Sequence, residues 1–339
     1  MRWDHHKPII GYVAPTYGFY RPDESSLPRP RTYLNKGYRN FAYILHSYIS
    51  RTDQTLIDIG GASLTHRFWK AITDTGSTYE RPFMIFPVLL NFGGLSDPHD
   101  VSRYQLYSPY APLGAGGMLY LVEEPDRTII RTYHRYASSA GFTIAEAGLY
   151  GNAWDRKFLL ARAIVDPPIS RDPLTIYEDG WDVIFPTGWT RWFVRMFATT
   201  FTGGDYSRFG DLFKDVNGSL QVFRQDAGEA FQGSPDVMIG RDNTPPAVED
   251  YNLKDPIASL TNQIQVVEID TNIQECRIVR YGTYTPATTE TLGEVGLFAH
   301  TKNLEGIVVK YLIARAVFSP PVTLDADTTY TIGIALRLG

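Results

Sequence analysis

The chain has 339 residues, of which 43% are hydrophobic and 20% charged, a balance that excludes a largely disordered polymer. Lys and Arg number 32 against 37 Asp and Glu, and the net charge of -5 argues against a protein built to grip nucleic-acid phosphate. A single cysteine, Cys276, excludes an intrachain disulfide and a Cys-rich metal site.

Residues 1–37 carry Pro8, Pro15, Pro22, Pro28 and Pro30 among Trp3, Tyr12, Tyr17, Phe19 and Tyr20. Proline at this density is expected to forbid regular helix or sheet, while the aromatic rings favour burial. The expectation is an extended N-terminal assembly arm that lies on a neighbouring subunit. His5-His6 lacks further ligands and reads as a polar terminus. The first residues contain no apolar core of signal-peptide length, and no apolar run approaches the roughly 18 residues of a membrane span. The expected protein is therefore soluble, made in a reducing cytosol, and has no membrane partner.

Phe41, Ile44, Leu45 and Tyr48 keep helical spacing, as do Phe193, Met196, Phe197 and Thr200 further on. Gly114-Ala115-Gly116-Gly117 lacks the Lys-Ser/Thr of a phosphate loop and reads as a turn. Asn217-Gly218-Ser219 fits a glycosylation sequon and reads as a turn as well. Asn243-Thr244-Pro245-Pro246 is a loop. Ile264-Val266, Ile278-Val279 and Leu312–Val317 are strand-like, and Ile332, Ile334, Leu336 and Leu338 alternate with a period of two. The Pro167-Pro168 and Pro320-Pro321 pairs are expected to end strands, because proline donates nothing to a sheet ladder.

The chain repeats itself. Glu146-Ala147-Gly148-Leu149-Tyr150 returns as Glu294-Val295-Gly296-Leu297-Phe298. Phe158-Leu159-Leu160-Ala161-Arg162-Ala163-Ile164 returns as Tyr311-Leu312-Ile313-Ala314-Arg315-Ala316-Val317, and Pro167-Pro168-Ile169 as Pro320-Pro321-Val322. Upstream, Tyr104, Leu106, Pro109, Ala111 and Leu113 align with Tyr251, Leu253, Pro256, Ala258 and Leu260, and Arg39-x-Phe41 aligns with Arg191-x-Phe193. More weakly, Asp58 and its following glycines align with Asp215-Val216-Asn217-Gly218. The matches keep their order and drift only by loop-sized indels, which indicates a tandem duplication. The expected fold is mainly β: two tandem similar β-sandwich or β-barrel domains, 38–187 and 188–339, each with about one helix, behind the arm of residues 1–37.

No nucleophile elbow, zincin motif or P-loop is present, so no catalytic residue, metal or cofactor is expected. Arg162 and Arg315 sit in the middle of apolar strands, where a charge needs a partner. Glu146 and Glu294 repeat as the arginines do, so structural ion pairs Glu146–Arg162 and Glu294–Arg315 are expected. Of the 32 basic residues 24 are Arg, a bias that suits extensive contact surface.

Ile239-Gly240, Pro245-Pro246, Asp250-Tyr251-Asn252-Leu253 with Pro256-Ile257, Glu294–Phe298, Leu312–Arg315 and the run from Ser319-Pro320-Pro321-Val322 to Tyr330-Thr331-Ile332 together resemble a class of structural proteins of tailed bacteriophage virions. The resemblance covers about residues 190–339, and 38–187 only through the duplication. Asp58-Ile59-Gly60-Gly61 and Asn91-Phe92-Gly93-Gly94 depart from it. It implies a self-assembling virion protein, assembled in the host cytoplasm, whose partners are itself and other virion proteins. The form favoured is a tail tube protein with duplicated domains: trimeric, pseudo-hexameric rings stack by heterologous contacts around a conduit through which DNA passes. Alternatives are a capsid decoration protein and a baseplate or fibre adaptor. A rival of another class is a carbohydrate-binding or glycan-cleaving β-sandwich, marked by exposed aromatics beside paired carboxylates.

Overall fold

The computed structural model describes residues 9–10, 13–20, 35–37, 39–50, 54–58, 63–67, 89–100, 102–103, 105–110, 117–137, 140–153, 156–171, 176–201, 212–223, 235–272 and 274–338. Trp3, His5, His6, Tyr12, Tyr104 and Gly114–Gly116 lie outside them.

The protein is mainly β, and its described strands pair antiparallel except for β1, which pairs in parallel. The chain opens with β1 (Ile9–Ile10), β2 (Val13–Tyr20) and β3 (Asn35–Gly37), followed by α1 (Arg39–Ser50). Next come β4 (Gln54–Asp58), β5 (Ser63–Arg67), β6 (Leu89–Gly93), β7 (Gly117–Glu123), β8 (Arg127–Ala137), β9 (Phe142–Ala153), β10 (Arg156–Arg171) and β11 (Ile176–Pro186). Then α2 (Arg191–Phe201) begins a matching series: β12 (Leu212–Lys214), β13 (Leu220–Val222), β14 (Asp236–Gly240), β15 (Pro256–Ser259), β16 (Thr261–Asp270), β17 (Glu275–Tyr284), β18 (Glu290–Lys302), β19 (Val308–Leu324) and β20 (Tyr330–Leu338).

The first series forms sheets of order β3-β10-β9-β6 and β2-β11-β8-β7 with the ribbon β4-β5. The second forms β15-β14-β18-β19 and β1-β20-β17-β16 with the ribbon β12-β13. The correspondence reaches small detail. Gly37 pairs Ala161 in β10, and the isolated bridge Trp189–Ala314 takes the same place in the second series.

Alternation positions the strands: Ile332, Ile334 and Leu336 of β20 are buried, and the residues between them are not. Both helices fall where the 3–4 spacing placed them. Thr190 caps α2, its Oγ1 accepting from Phe193 N at 3.3 Å and donating to Leu312 O at 2.7 Å, which fixes the helix start to β19. One hydrophobic core runs through both series, from Phe41 and Leu45 to Ile334 and Leu336. The helices meet inside it, with the Phe41 and Phe197 rings edge to face at 6.3 Å. Their packing is reciprocal: α1 lies on β16 and β17 of the second series, α2 on β7 and β8 of the first.

Two sequence expectations change. Pro167-Pro168 and Pro320-Pro321 lie inside β10 and β19 instead of ending them. Pairing skips from Ile164↔Glu146 to Ile169↔Ile144, and from Val317↔Glu294 to Val322↔Leu292. The prolines thus occupy bulges, where no ladder hydrogen bond is asked of them. Second, the N-terminal segment does form strands in spite of its prolines. β2 is an edge strand, the place where Pro15 is tolerated.

Candidate functional site

In the β9–β10 hairpin Arg162 stands opposite Gly148, and in β18–β19 Arg315 stands opposite Gly296. Each glycine leaves room over the hairpin that a leucine from the segment after β6, or after β14, also uses. A Cβ on Gly148 would lie 2.9 Å from Leu106 and Leu159, and one on Gly296 would lie 2.8 Å from Leu253 and 3.1 Å from Leu312. The glutamates sit two residues before these glycines, so they share a strand face with the space the arginines enter.

Arg162 Nε donates to Glu146 Oε2 at 2.7 Å, and Arg315 Nε donates to Glu294 Oε2 at 2.6 Å. All four side chains are sealed from solvent. Both expected ion pairs are therefore present in the structure. A second glycine flanks each acid: Gly93 of β6 pairs Glu146, and Gly240 of β14 pairs Glu294. A Cβ there would fall 2.2 Å from Glu146 Oε1 and 2.4 Å from Glu294 Oε1. The carboxylates reach across these glycines to the segments that follow β6 and β14. Glu146 Oε1 accepts from Ser108 N at 2.8 Å; Glu294 Oε1 accepts from Asp255 N at 2.8 Å and Oε2 from Lys254 N at 3.2 Å.

The remaining guanidinium donors go to the same loops. Arg162 bonds Asp97 Oδ1 at 2.8 Å, Asp97 O at 3.0 Å and Pro98 O at 3.2 Å. Arg315 bonds Asp242 Oδ1 at 3.0 Å, Thr244 O at 3.1 Å and Asp250 Oδ2 at 3.2 Å. Each cluster is thus a buried rivet that fastens the segment after β6, or after β14, onto its sheet. The donors face protein acceptors, so neither arginine is set out to receive an external anion. The charge count differs between the two. Arg162 and Arg103 balance Glu146 and Asp97, whereas Arg315 and Lys254 face Glu294, Asp250 and Asp242. Hydrogen bonds from Thr244 hold the Asp242 carboxyl below the usual range, with Arg315 adding to them.

A further charged group joins the two series. Arg195 of α2 bonds Glu123 of β7, with Nη2 at 2.8 Å from Oε2, and Arg191 Nη1 lies 2.9 Å from Glu249 Oε1. Burial pushes Glu123 up, but hydrogen bonds and charge from Arg195 and Arg191 outweigh it, and its carboxyl sits below the ordinary value. Arg195 and Lys214 both lie over the Trp192 ring, each 5.0 Å from its centre.

The surface near β12–β13 is apolar. Leu304 is 61% exposed, Leu220 59% and Ile307 59%. They are brought together because Leu304 N donates to Val222 O at 3.0 Å at the tip of the β18–β19 hairpin. Asn217-Gly218-Ser219 is the turn the sequence suggested, closed by Asp215 Oδ1, which accepts from Asn217 N at 2.9 Å and Ser219 N at 3.0 Å.

Of the arm residues, Tyr17, Phe19 and Tyr20 fall on β2, opposite Asp179, Tyr177 and Ile176 of β11 in the same chain. The roles of Asp97, Asp242, Asp250 and the paired glycines went unread in the sequence. A signal existed: Gly93 and Gly240 are each followed within four residues by the aspartate that the arginine binds. No protein-family model matches the chain, and no curated protein and no solved structure matches it.

Proposed function

We propose that this is a self-assembling structural protein of a tailed-virus particle, and that its form is a tail tube protein whose three-chain rings stack around a DNA conduit. The tandem domains of this reading are 38–187 and 188–339. The observation that carries it is the repetition of one rigid building unit, sheet pairing and buried rivet included, within a single chain. Such units offer matching contact surfaces at regular intervals, as stacked rings require. The buried arginine clusters serve stiffness: their groups are spent on holding loops in place. The exposed apolar tip of the second series supplies contact surface.

The reciprocal packing of α1 and α2 bears on the ring. A pair of units that exchange the same contacts in both directions is closed, like an isologous dimer. The two units of one chain then act as a single block, so the ring has three-fold character, with the pseudo-six-fold repeat confined to the count of units. The same observation favours a second reading, a discrete trimeric capsid decoration protein, in which nothing stacks. Light scattering of the purified chain separates these from the alternatives. Three chains growing to larger species with concentration support the tail tube, a trimer of constant mass supports decoration, and a persistent monomer overturns both.

A further inference from the structure

The two sheets that contain β11 and β20 are completed by strands from the chain's beginning. β2 pairs β11 antiparallel over eight residues, from Val13↔Val183 to Tyr20↔Ile176, and β1 pairs β20 in parallel at Ile9↔Arg337 and Ile10↔Leu338. Without β2, the edge of β11, an 11-residue strand, would present unpaired backbone groups. With it the sheet ends on a strand that contains Pro15, placed opposite Trp181. A proline in an edge strand discourages further pairing, so β2 is an end cap for the sheet.

This cap is joined to the rest of its series by residues 21–34. Fourteen residues can span roughly 50 Å when extended, while the strands they connect, β2 and β3, lie beside one another. The connection is far longer than pairing within one chain needs. A cap that fits a long edge in fixed register, held by a long connection, meets the geometric conditions for exchange between copies. The hydrogen bonds and register are identical whether β2 comes from the same chain or from the next, so concentration decides the outcome.

We propose that in the assembled state β2 caps the β11 edge of a neighbouring copy, so that the subunits are joined by strand exchange. This rests on the self-assembly reading and specifies its linkage: residues 13–20 of one chain against residues 176–183 of another. Because each chain both gives and receives a strand, the exchange can close a ring or propagate.

The test uses full-length chains with single cysteines at register-matched positions. One preparation carries Tyr17→Cys and the other Asp179→Cys; a second set uses Gly18→Cys and Glu178→Cys. Adjacent registers alternate between close and wide pairs, so one set meets the geometry of a disulfide. The native Cys276 is buried, and each variant alone serves as its control. The two preparations are mixed, assembled at high concentration and treated with a mild thiol oxidant. Strand exchange gives a two-chain band on a non-reducing gel that neither variant gives alone. The double variant, with both cysteines in one chain, shows the pairing itself. If that chain closes only on itself while the mixture yields no two-chain band, exchange is refuted although assembly stands. If neither forms a disulfide, the strand pairing is refuted. A chain that stays monomeric by light scattering sinks this proposal together with the assembly reading.

Discussion

Glu294 Oε2 lies 2.6 Å from Arg315 Nε with neither side chain open to solvent, and Glu146 stands in the same relation to Arg162 at 2.7 Å. Breaking such a buried pair leaves an uncompensated charge, which costs about 3–5 kcal/mol. Arg162→Met and Arg315→Met are each expected to lower stability by that amount in chemical denaturation. Adding Glu→Leu at the partner position should recover more in the first cluster than in the second. Removing Arg315 leaves Asp250 and Asp242 with Lys254 as the one cation of that cluster, whereas Asp97 keeps Arg103. Equal recovery in both clusters would contradict this assignment of partners.

Gly93 and Gly240 give β6 and β14 their clearance over the glutamates. Alanine at either position forces a shift, an overpacking cost of about 1–3 kcal/mol. The three atoms nearest a Cβ at Gly93 all belong to Glu146, while a Cβ at Gly240 also meets the backbone oxygen of Asp255 at 2.6 Å. Shortening the acid, Glu146→Asp, should therefore partly relieve Gly93→Ala. Glu294→Asp should not relieve Gly240→Ala. Thermal melts of the four single and two double variants decide it.

Much of this was legible in the sequence, for a physical reason. Buried charge in a strand is rare, so Arg162 and Arg315 announced that partners must exist, and the duplication named Glu146 and Glu294. The period-two pattern of Ile332, Ile334 and Leu336 likewise gave β20 directly. What stayed hidden depends on register. Asp97, Asp242 and Asp250 come from loops whose path no periodicity encodes. The bulges at Pro167-Pro168 and Pro320-Pro321 hide because one strand gains residues its partner lacks. The pairing of Tyr17 and Phe19 with their own chain was unreadable because prolines suggested no strand at all, and only an edge position makes one acceptable. The meeting of α1 and α2 in one core was equally invisible, since a repeat predicts units and not how they interlock.

The clamp between the two series depends on pH. The folded Glu123 carboxyl is depressed below its unfolded value of about 4.3. Its contribution to stability is therefore complete above that value and is lost as pH falls through the folded one. Asp236 shifts in the same direction: burial raises it, and Lys310, Gln263 and Ser259 more than offset that. Glu123→Gln should flatten the acid limb of the stability profile below about pH 4.5 without abolishing it, because Asp236 remains. Denaturant midpoints from pH 3 to pH 7 give the comparison, and an unchanged acid slope would contradict the clamp.

The apolar tip separates assembly from folding. Leu304 and Ile307 are 61% and 59% exposed, so Leu304→Ser with Ile307→Thr should change monomer stability by no more than about 0.5 kcal/mol per site. If the tip is contact surface, the same variant assembles at markedly higher protein concentration than the parent chain. Sedimentation velocity across a dilution series reads both quantities, and an unchanged assembly threshold removes the tip from the interface.

The most direct measurement is negative-stain electron microscopy of the purified, concentrated full-length chain. The account predicts hollow tubes of uniform diameter built from stacked rings, with three-fold symmetry in end-on views. Particles that stay discrete at every concentration, with no stacking, would contradict the tail tube reading.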